Sequence, residues 1–377
     1  MRAGTALQLL CEVVPYCLVA VAVVTAAFGA PMYAVAAAVV LIGHCLNSAL
    51  GECDLTSVLL GESPRSAYEG KVVWITGASQ GLGEEIALHL ASLGARLILS
   101  SRRPDTLRRV CAACDAAGAG DTCVLPIDAR AGSKALRAKG IEAVKLAEEM
   151  TPGGGGGIDY LFHVAGGSQH AAAEDTTDEV DRDMFELNTL SAIAVTKAVL
   201  PSMLNRRSGC VVAVGSMAVK CPAPGQATYA ATKAALAAFC HSLRGEVADR
   251  GVRVTVAHPG PIATGLGGQT RVIFGATLSQ STCDTGAGAG ESGDGSETKK
   301  GAKVSKKEKR LDAKVVAARI AAGAAWGLDE VVLATQPIML LRNFMQYVPT
   351  VGYRVLNKVG PKRARAARAG GSMYDLK

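Results

Sequence analysis

The sequence predicts a doubly wound α/β domain built on a parallel sheet, with a membrane segment at its N-terminus. Between residues 71 and 260, stretches long enough for crossover helices separate six apolar runs: KVVWIT, RLILS, TCVLPI, IDYLFHVA, GCVVAVGS and VRVTVAHP. Strands buried on both faces are apolar at successive positions, and helical crossovers make neighbouring strands parallel. A long uncharged stretch near the N-terminus is the second observation, and it predicts a membrane segment.

The N-terminal region 1–52 is predicted to be a membrane anchor. From Val13 to Gly51 it contains no charged residue, and this run is about twice the roughly 20 residues that one spanning helix needs. Pro31 interrupts it, so the anchor is one spanning helix with an apolar flank, or two short helices that turn there. A cleaved signal peptide is the alternative, although its apolar region is usually about 7 to 15 residues. Residues 53–69 form a connector.

The composition limits the class of protein. Charged residues make up 19% of the 377 residues and apolar ones 49%, which excludes a wholly disordered chain. The net charge of +7 is concentrated in residues 299–314 and 354–368, so no nucleic-acid partner is expected. The eleven cysteines are scattered, which argues against a disulfide framework. No metal site is predicted.

The domain is predicted to span 70–335, with a low-complexity insertion at 281–310. The run DEVVLAT at 329–335 has strand character, but it follows a Gly/Ser-rich acidic and then lysine-rich stretch without apolar periodicity. Such a stretch is typical of a solvated insertion, although its lysines could also contact anionic lipid. Residues 336–377 form an apolar segment with a basic tail. That segment suits a membrane surface and equally suits packing against the domain's own core.

A glycine-rich turn follows the first strand directly. Its TGxxxGxG spacing allows tight backbone geometry and lets a pyrophosphate approach the N-terminus of the next helix, where free N–H groups favour anions. The predicted cofactor-binding residues of this turn are Thr76, Gly77, Ser79, Gln80, Gly81, Leu82 and Gly83.

Arginines replace the expected acidic residue after the second strand. A carboxylate there would bind the ribose 2′-hydroxyl of NAD, but the chain has Ser101, Arg102 and Arg103. Arginine pairs with a 2′-phosphate through charged hydrogen bonds, which a carboxylate would repel. The sequence therefore predicts NADP(H), with these three residues in its binding site and Arg102 as the main contact.

Ser216, Tyr229 and Lys233 form a Ser-x12-Tyr-x3-Lys pattern. Residues spaced i and i+4 share one helix face, and a serine at the end of a strand can face them. The tyrosine pKa is ordinarily near 10, and a nearby ammonium lowers it. Tyr229 is therefore predicted to donate a proton to a carbonyl oxygen, to which Ser216 donates a hydrogen bond.

In combination, these motifs resemble the short-chain dehydrogenase/reductase family over residues 70–335. The resemblance implies a Rossmann fold and assigns further roles by position. Asn188 would be a fourth catalytic residue, which holds a water that links the lysine to solvent, and Lys233 and Tyr229 would also contact the cofactor. Family members often form homodimers through the helices that carry Asn188 and Tyr229. The remaining cofactor contacts would be Asp128, Ala129, Ala165, Gly166, Pro259, Gly260, Ile262 and Thr264.

Two positions depart from the family pattern. The family usually has Asn-Asn before the Ala-Gly pair that follows the fourth strand, and this chain has His163 and Val164. The substitution places the usual cross-strand hydrogen bonds in doubt. His163 is expected to be a buried histidine with a local partner, and Asp128 has an alternative reading as the cap of the next helix.

Short C-terminal stretches add a subgroup. EVVLATQP at 330–337, MQYVPT at 345–350 and NKVG at 357–360 resemble the membrane-bound dehydrogenase/reductase member seven group. That group is similar to the 11β-hydroxysteroid dehydrogenases in having an N-terminal anchor. The resemblance implies an endoplasmic-reticulum enzyme that reduces steroid, retinoid or other lipid-like carbonyls with NADPH.

Two other functions remain open at this point. A lipid-biosynthetic reductase of the 3-ketosphinganine type shares all four catalytic residue types. A membrane scaffold that binds NADP(H) without turnover would use the insertion for a partner, but the intact Ser216, Tyr229, Lys233 and Asn188 argue against it.

Overall fold

The structure, a computed structural model, describes residues 53–153, 156–263, 273–277 and 310–368. The predicted anchor 1–52, Thr264 and all but the last residue of the insertion 281–310 lie outside the described residues.

The core is a seven-stranded parallel sheet, as the apolar runs predict. In spatial order its strands are β11, β7, β6, β4, β1, β2 and β3. Their bounds are Glu330–Leu333, Val252–Pro259, Gly209–Val214, Tyr160–His163, Val72–Thr76, Arg96–Ser100 and Asp121–Val124. The chain winds outward from β1 to β3 and then returns to β4 on the other side of β1. The carboxyl ends of β1 and β4 therefore form a topological switch point, where doubly wound sheets bind ligands.

Helices pack on both faces of the sheet, and every residue of the central strand β1 is therefore buried. On one face pack α2 (Gly81–Ser92), α3 (Pro104–Ala117) and α9 (Ala313–Trp326). On the other pack α4 (Ser133–Glu149), α6 (Ser191–Asn205) and α8 (Ala227–Glu246). The remaining helices are α1 (Leu55–Leu60), α5 (Asp178–Phe185), α7 (Met217–Lys220), α10 (Ile338–Tyr347) and α11 (Pro349–Arg368).

Two short parallel pairs lie beside the main sheet. β5 (Ser168–Gln169) pairs with β9 (Ile273–Phe274), and β8 (Ile262–Ala263) pairs with β10 (Leu311–Asp312). The second pair brings Ala263 beside Asp312. The ends of the segment that contains the predicted insertion therefore meet at one place on the domain.

Residues 53–69, the predicted connector, pack on the edge of the sheet. Cys53 forms an antiparallel bridge with Leu333. The Asp54 carboxylate caps α1 through the Ser57 N–H at 2.7 Å and accepts the Val332 N–H at 2.8 Å. The Tyr68 hydroxyl donates to the Ala321 carbonyl of α9 at 2.7 Å. The connector thus begins its contact with the domain at the carboxyl end of β11.

Within the described ranges, one continuous helix is long and apolar enough to cross a membrane. It comprises α5, a π turn at Glu186–Leu190 and α6. Half of its apolar stretch is buried in the protein, and the buried side of α6 contributes to the core. This helix is therefore a core element of the domain, and its composition is weak evidence for membrane insertion.

Candidate active site

A cavity of about 450 Å³ opens at the carboxyl ends of the central strands. The segments that follow β1, β2, β4, β6 and β7 all line it, and α10 and α11 cover one side. This position agrees with the switch point of the sheet. All the sequence-predicted site residues within the described ranges line this cavity, except Asn188.

The glycine-rich turn owes its shape to three glycines. Gly77 and Gly81 have φ of +74° and +58°, a region that side chains rarely adopt. A Cβ on Gly83 would lie 2.2 Å from the Gly77 carbonyl oxygen, and one on Gly77 would lie 2.7 Å from the Ala165 backbone. The turn is therefore packed too closely for larger residues.

The N-terminus of α2 faces the cavity and can receive an anion. No side chain caps it, and Gln80, Gly81, Leu82 and Gly83 line the cavity there. Glu84 in the first turn would repel a phosphate, but Arg109 binds both carboxylate oxygens, at 2.7 and 3.0 Å. The helix end thus retains its favourable potential for anions.

The predicted phosphate-binding arginines lie together beside the turn. Arg102 is exposed and lines the cavity. The Arg103 guanidinium donates to the Gln80 side-chain oxygen at 2.8 Å. Asp128 and Ala129 line the same end. The alternative interpretation of Asp128 as the cap of the next helix is wrong. Gly132 is the N-cap residue of that helix, α4, and the Asp128 carboxylate instead accepts the Arg130 N–H at 3.0 Å.

Ser216 lies directly after β6 and caps the short helix α7. Its Oγ accepts the Ala218 N–H at 3.1 Å. That bond uses a lone pair and leaves the hydroxyl proton available for a second partner. The side chain lines the cavity, so the remaining proton can be donated to a substrate oxygen.

Tyr229 and Lys233 lie on successive turns of α8 and line the cavity with Ser216. The Lys233 Nζ donates to the Val214 carbonyl at 2.9 Å and is 4% exposed. Burial lowers the pKa of Lys233 to about 8. The Lys233 ammonium can therefore lose its proton closer to neutral pH than an exposed lysine does.

Asn188 lies in the π turn Glu186–Leu190 and forms hydrogen bonds that hold the loop after β4 in place. Its Oδ1 accepts the Gly167 N–H at 2.7 Å, and its Nδ2 donates to the Gly167 carbonyl and the Thr232 hydroxyl at 3.0 Å each. A Cβ on Gly166 would lie 3.0 Å from this Oδ1 and 3.1 Å from the Lys233 Nζ. The amide is thus a neighbour of the lysine. Its role in holding a water stays a prediction.

The departure at His163 and Val164 is compensated locally. The Thr76 hydroxyl donates to the Phe162 carbonyl at 3.2 Å. The same hydroxyl oxygen accepts a hydrogen bond from the Val164 N–H at 3.3 Å. His163 Nε2 forms a 2.7 Å hydrogen bond with the Thr196 hydroxyl. Burial, aided by the Lys233 charge, lowers the pKa of His163 to about 3. The expectation of a buried histidine with a local partner is confirmed.

The end of β7 and the segment after it border the cavity through Pro259, Gly260 and Ile262. The Gly260 N–H donates to the Leu333 carbonyl at 2.6 Å, and a Cβ on Gly260 would lie 2.9 Å from the Ala334 side chain. The segment is therefore fixed against the edge strand.

The C-terminal helices cover the side of the cavity away from the glycine turn, a role that the sequence left open. Their apolar contacts with the cavity come from Ile338, Leu341, Val355, Leu356 and Val359. The Arg363 guanidinium donates to the Pro224 carbonyl at 3.1 Å and fixes α11 to the loop after α7. The amphipathic character of 337–359 was the only sequence signal for this cover.

A partly buried ionic cluster supports the loop of Ser216. His258 Nδ1 lies 3.2 Å from the Ser216 carbonyl, and its Nε2 lies 3.5 Å from Glu330. His241 and Lys220 also contact this carboxylate, at 3.0 and 2.8 Å. Burial alone would raise the pKa of Glu330, but the facing His258 and Lys220 hold it well below its usual range. One possible metal-ligand atom from each of His241, His258 and Glu330 lies within 4.8 Å of the other two, but the Lys220 ammonium already neutralises the carboxylate.

The lowered pKa of Lys233 predicts a pH dependence of stability. Between the folded value of about 8 and the ordinary value near 10.4, the unfolded chain binds more protons, so stability rises with pH. We expect the free energy of unfolding of the cofactor-free protein to rise relative to that of Lys233→Met, by up to about 3 kcal/mol across this range. Denaturant melts from pH 7 to 10 measure it, and parallel profiles would contradict the burial of a titrating lysine.

A glycine-rich turn, a switch-point cavity and a Ser-Tyr-Lys set that lines it are the features of an oxidoreductase of the doubly wound class. Residues 71–272 match the family model described as short chain dehydrogenase. The chain belongs to the short-chain dehydrogenase family, and the predicted parallel-sheet fold is confirmed.

The relatives agree with the predicted subgroup. Dehydrogenase/reductase SDR family member 7 of Homo sapiens is 32% identical over 315 residues, which are 82% of this chain and 84% of that protein. Member 7B of Rattus norvegicus is 35% identical over 226 residues, 59% of this chain and 67% of that protein. The predicted likeness to the member seven group is confirmed.

A short-chain dehydrogenase structure from Streptomyces avermitilis has the same fold. It superimposes with a TM-score of 0.58 at 23% identity and covers 77% of this chain and 98% of its own. At that identity the likeness supports the fold alone.

Proposed function

We propose that this protein is a membrane-anchored, NADP(H)-dependent oxidoreductase that interconverts hydrophobic carbonyls and alcohols. The observation that carries the proposal is that Ser216, Tyr229 and Lys233 line the same cavity as the glycine-rich turn. A proton donor and a dinucleotide site on one cavity are what carbonyl reduction requires.

The residues present fit NADP(H). Gly77, Gly81 and Gly83 line the cavity without side chains, so a pyrophosphate can approach the backbone at the N-terminus of α2. Arg102 and Arg103 supply positive charge where the 2′-phosphate would lie. No carboxylate occurs between the end of β2 and Asp105, so none would repel that phosphate directly after the strand. When bound, this cofactor supplies or accepts the hydride.

The chain's own residues move the proton. In reduction, Tyr229 donates its hydroxyl proton to the carbonyl oxygen, and the free Ser216 proton is donated to the same oxygen. A Lys233 ammonium near the phenolate stabilises the negative charge that remains on the tyrosine. In oxidation the same groups act in reverse.

The walls of the cavity favour an apolar substrate. Met217 contributes an apolar side chain near the catalytic serine, and Leu341, Leu356 and Val359 contribute others from the C-terminal cover. Apolar walls around a few convergent polar groups are typical of sites for hydrophobic small molecules. Steroids, retinoids and other lipid-like carbonyls are the proposed substrate class.

The proposed membrane location rests on the uncharged run from Val13 to Gly51. The likeness to the member seven group favours the endoplasmic reticulum. An enzyme anchored there would meet substrates that partition into lipid.

Replacing Arg102 tests the cofactor assignment. We expect Arg102→Asp to weaken NADPH binding about ten- to a hundredfold, because a charged hydrogen bond of about 1.5–3 kcal/mol is lost and a repulsive charge is added. NADH affinity should change little. Fluorescence titration of both cofactors measures this. Arg108→Asp is the control, because Arg108 lies on α3, the helix that follows Arg102, and does not line the cavity. Equal affinities for NADPH before and after the change would contradict the assignment.

The function is tested by NADPH oxidation with the detergent-solubilised full chain and a panel of steroid, retinoid and long-chain keto-lipid carbonyls. Turnover with a steroid or retinoid supports the proposed substrate class. Turnover with a 3-ketosphinganine alone would favour the lipid-biosynthetic reductase. NADPH binding without turnover of any compound would favour the non-catalytic scaffold.

A further inference from the structure

Exposed apolar side chains are concentrated on the C-terminal helices. Seven of the twelve large hydrophobic side chains that are exposed among the described residues lie between 340 and 355 and are 38 to 54% exposed. We call them the C-terminal apolar surface, which comprises Leu340, Phe344, Tyr347, Val348, Val351, Tyr353 and Val355. Apolar concentrations of this kind mark interaction sites.

The two helices that carry these side chains pack against each other. Leu340, Phe344 and Tyr347 share one face of α10 by their i, i+4, i+7 spacing. Gly352 of α11 packs directly on Met345 of α10, since a Cβ there would lie 2.4 Å from the methionine sulfur. The apolar side chains of both helices therefore belong to one packed helical pair.

Basic residues continue from this surface along α11. Arg354, Lys358, Lys362 and Arg365 recur at helical spacing, and all four are exposed. None of them forms an ion pair with another residue of the described ranges. Residues 338–368 contain seven Arg or Lys and no Asp or Glu. An apolar surface continued by a basic stripe complements an anionic lipid surface.

The predicted anchor joins the domain at the same edge. Its uncharged run ends at Gly51, two residues before Cys53, and Cys53 pairs with Leu333 at the end of β11. Helix α10 begins at Ile338, five residues after Leu333. A bilayer that holds the N-terminal run would therefore lie near the C-terminal helices.

We propose that the C-terminal apolar surface docks at the boundary between headgroups and acyl chains of an anionic lipid bilayer, as a second membrane contact beside the N-terminal anchor. A second copy of the chain is a poorer occupant, because two copies of the stripe of four exposed basic residues would repel each other. Val355 is both part of this surface and part of the cavity wall. If the proposed function holds, a lipid-soluble substrate enters the cavity from the bilayer at this point.

The test uses tryptophan fluorescence of the full chain reconstituted in phosphatidylcholine vesicles that contain phosphatidylserine. We introduce Phe344→Trp and, in a second protein, Tyr353→Trp, and measure quenching by lipids with brominated acyl chains. Ile141→Trp is the matched control, because Ile141 is 54% exposed on α4. The unsubstituted protein gives the background of Trp74 and Trp326.

Docking at the acyl boundary predicts about a twofold or larger loss of the added fluorescence at 344 and 353, with little loss at 141. Adding Lys358→Glu and Lys362→Glu should reduce that quenching in vesicles with phosphatidylserine. Equal quenching at all three positions, or none at 344 and 353, would overturn the proposal. Fluorescence at 344 that depends on protein density but not on brominated lipid would assign the surface to a second copy. The readout needs no turnover, so it is independent of the catalytic assignment.

Discussion

Tyr229→Phe is expected to lower kcat for carbonyl reduction about a hundred- to ten-thousandfold, the usual contribution of a positioned proton donor. The phenylalanine keeps the ring packed beside Val180, Met184 and Phe274 but removes the hydroxyl. Affinity for NADPH should remain within about threefold, because the glycine turn and the arginines are unchanged. Steady-state kinetics and NADPH titration measure the two effects separately.

Tyr353→Phe is the matched control for this experiment. It removes a hydroxyl from a tyrosine that is 54% exposed and does not line the cavity, so kcat should not change. A Tyr229→Phe protein that keeps more than about a tenth of the parent kcat would contradict the role of Tyr229 as the proton donor.

Gly83→Ala is expected to weaken cofactor binding about ten- to hundredfold. The new Cβ would lie 2.2 Å from the Gly77 carbonyl oxygen, which belongs to the backbone and cannot rotate away. Overpacking of this kind costs about 1–3 kcal/mol, which corresponds to about a ten- to hundredfold loss of affinity if the strain displaces the turn. Melting temperature and NADPH titration measure how the cost divides between folding and binding.

Gly245→Ala provides the comparison, because the space around Gly245 in α8 is open and its backbone is helical. Alanine favours a helix over glycine by about 0.8–1.0 kcal/mol, so this protein should be as stable as the parent or more stable. If Gly83→Ala behaved in the same way, the close packing of the turn would not be needed for cofactor binding.

The sequence alone predicted the sheet and the positions of its ligand-binding ends. Six apolar runs become β1, β2, β3, β4, β6 and β7, and the displaced DEVVLAT run becomes β11. Such runs are readable because burial on both faces demands apolar residues at every position. The glycine turn and the Ser216, Tyr229 and Lys233 set were also predictable, since their spacing along the chain reflects local strand-to-helix and i, i+4 geometry.

Contacts between distant segments were decided only by the tertiary structure. The hydrogen bond of His163 depends on Thr196, 33 residues away along the chain, and the support of the Ser216 loop depends on Glu330. The cover over the cavity likewise depends on how α10 and α11 pack after β11. Sequence periodicity shows that a helix has an apolar face but not what that face contacts, because its partner is set by long-range packing. The amphipathic segment was therefore predicted to meet either membrane or core, and the fold places one side of it on the cavity and leaves the other exposed.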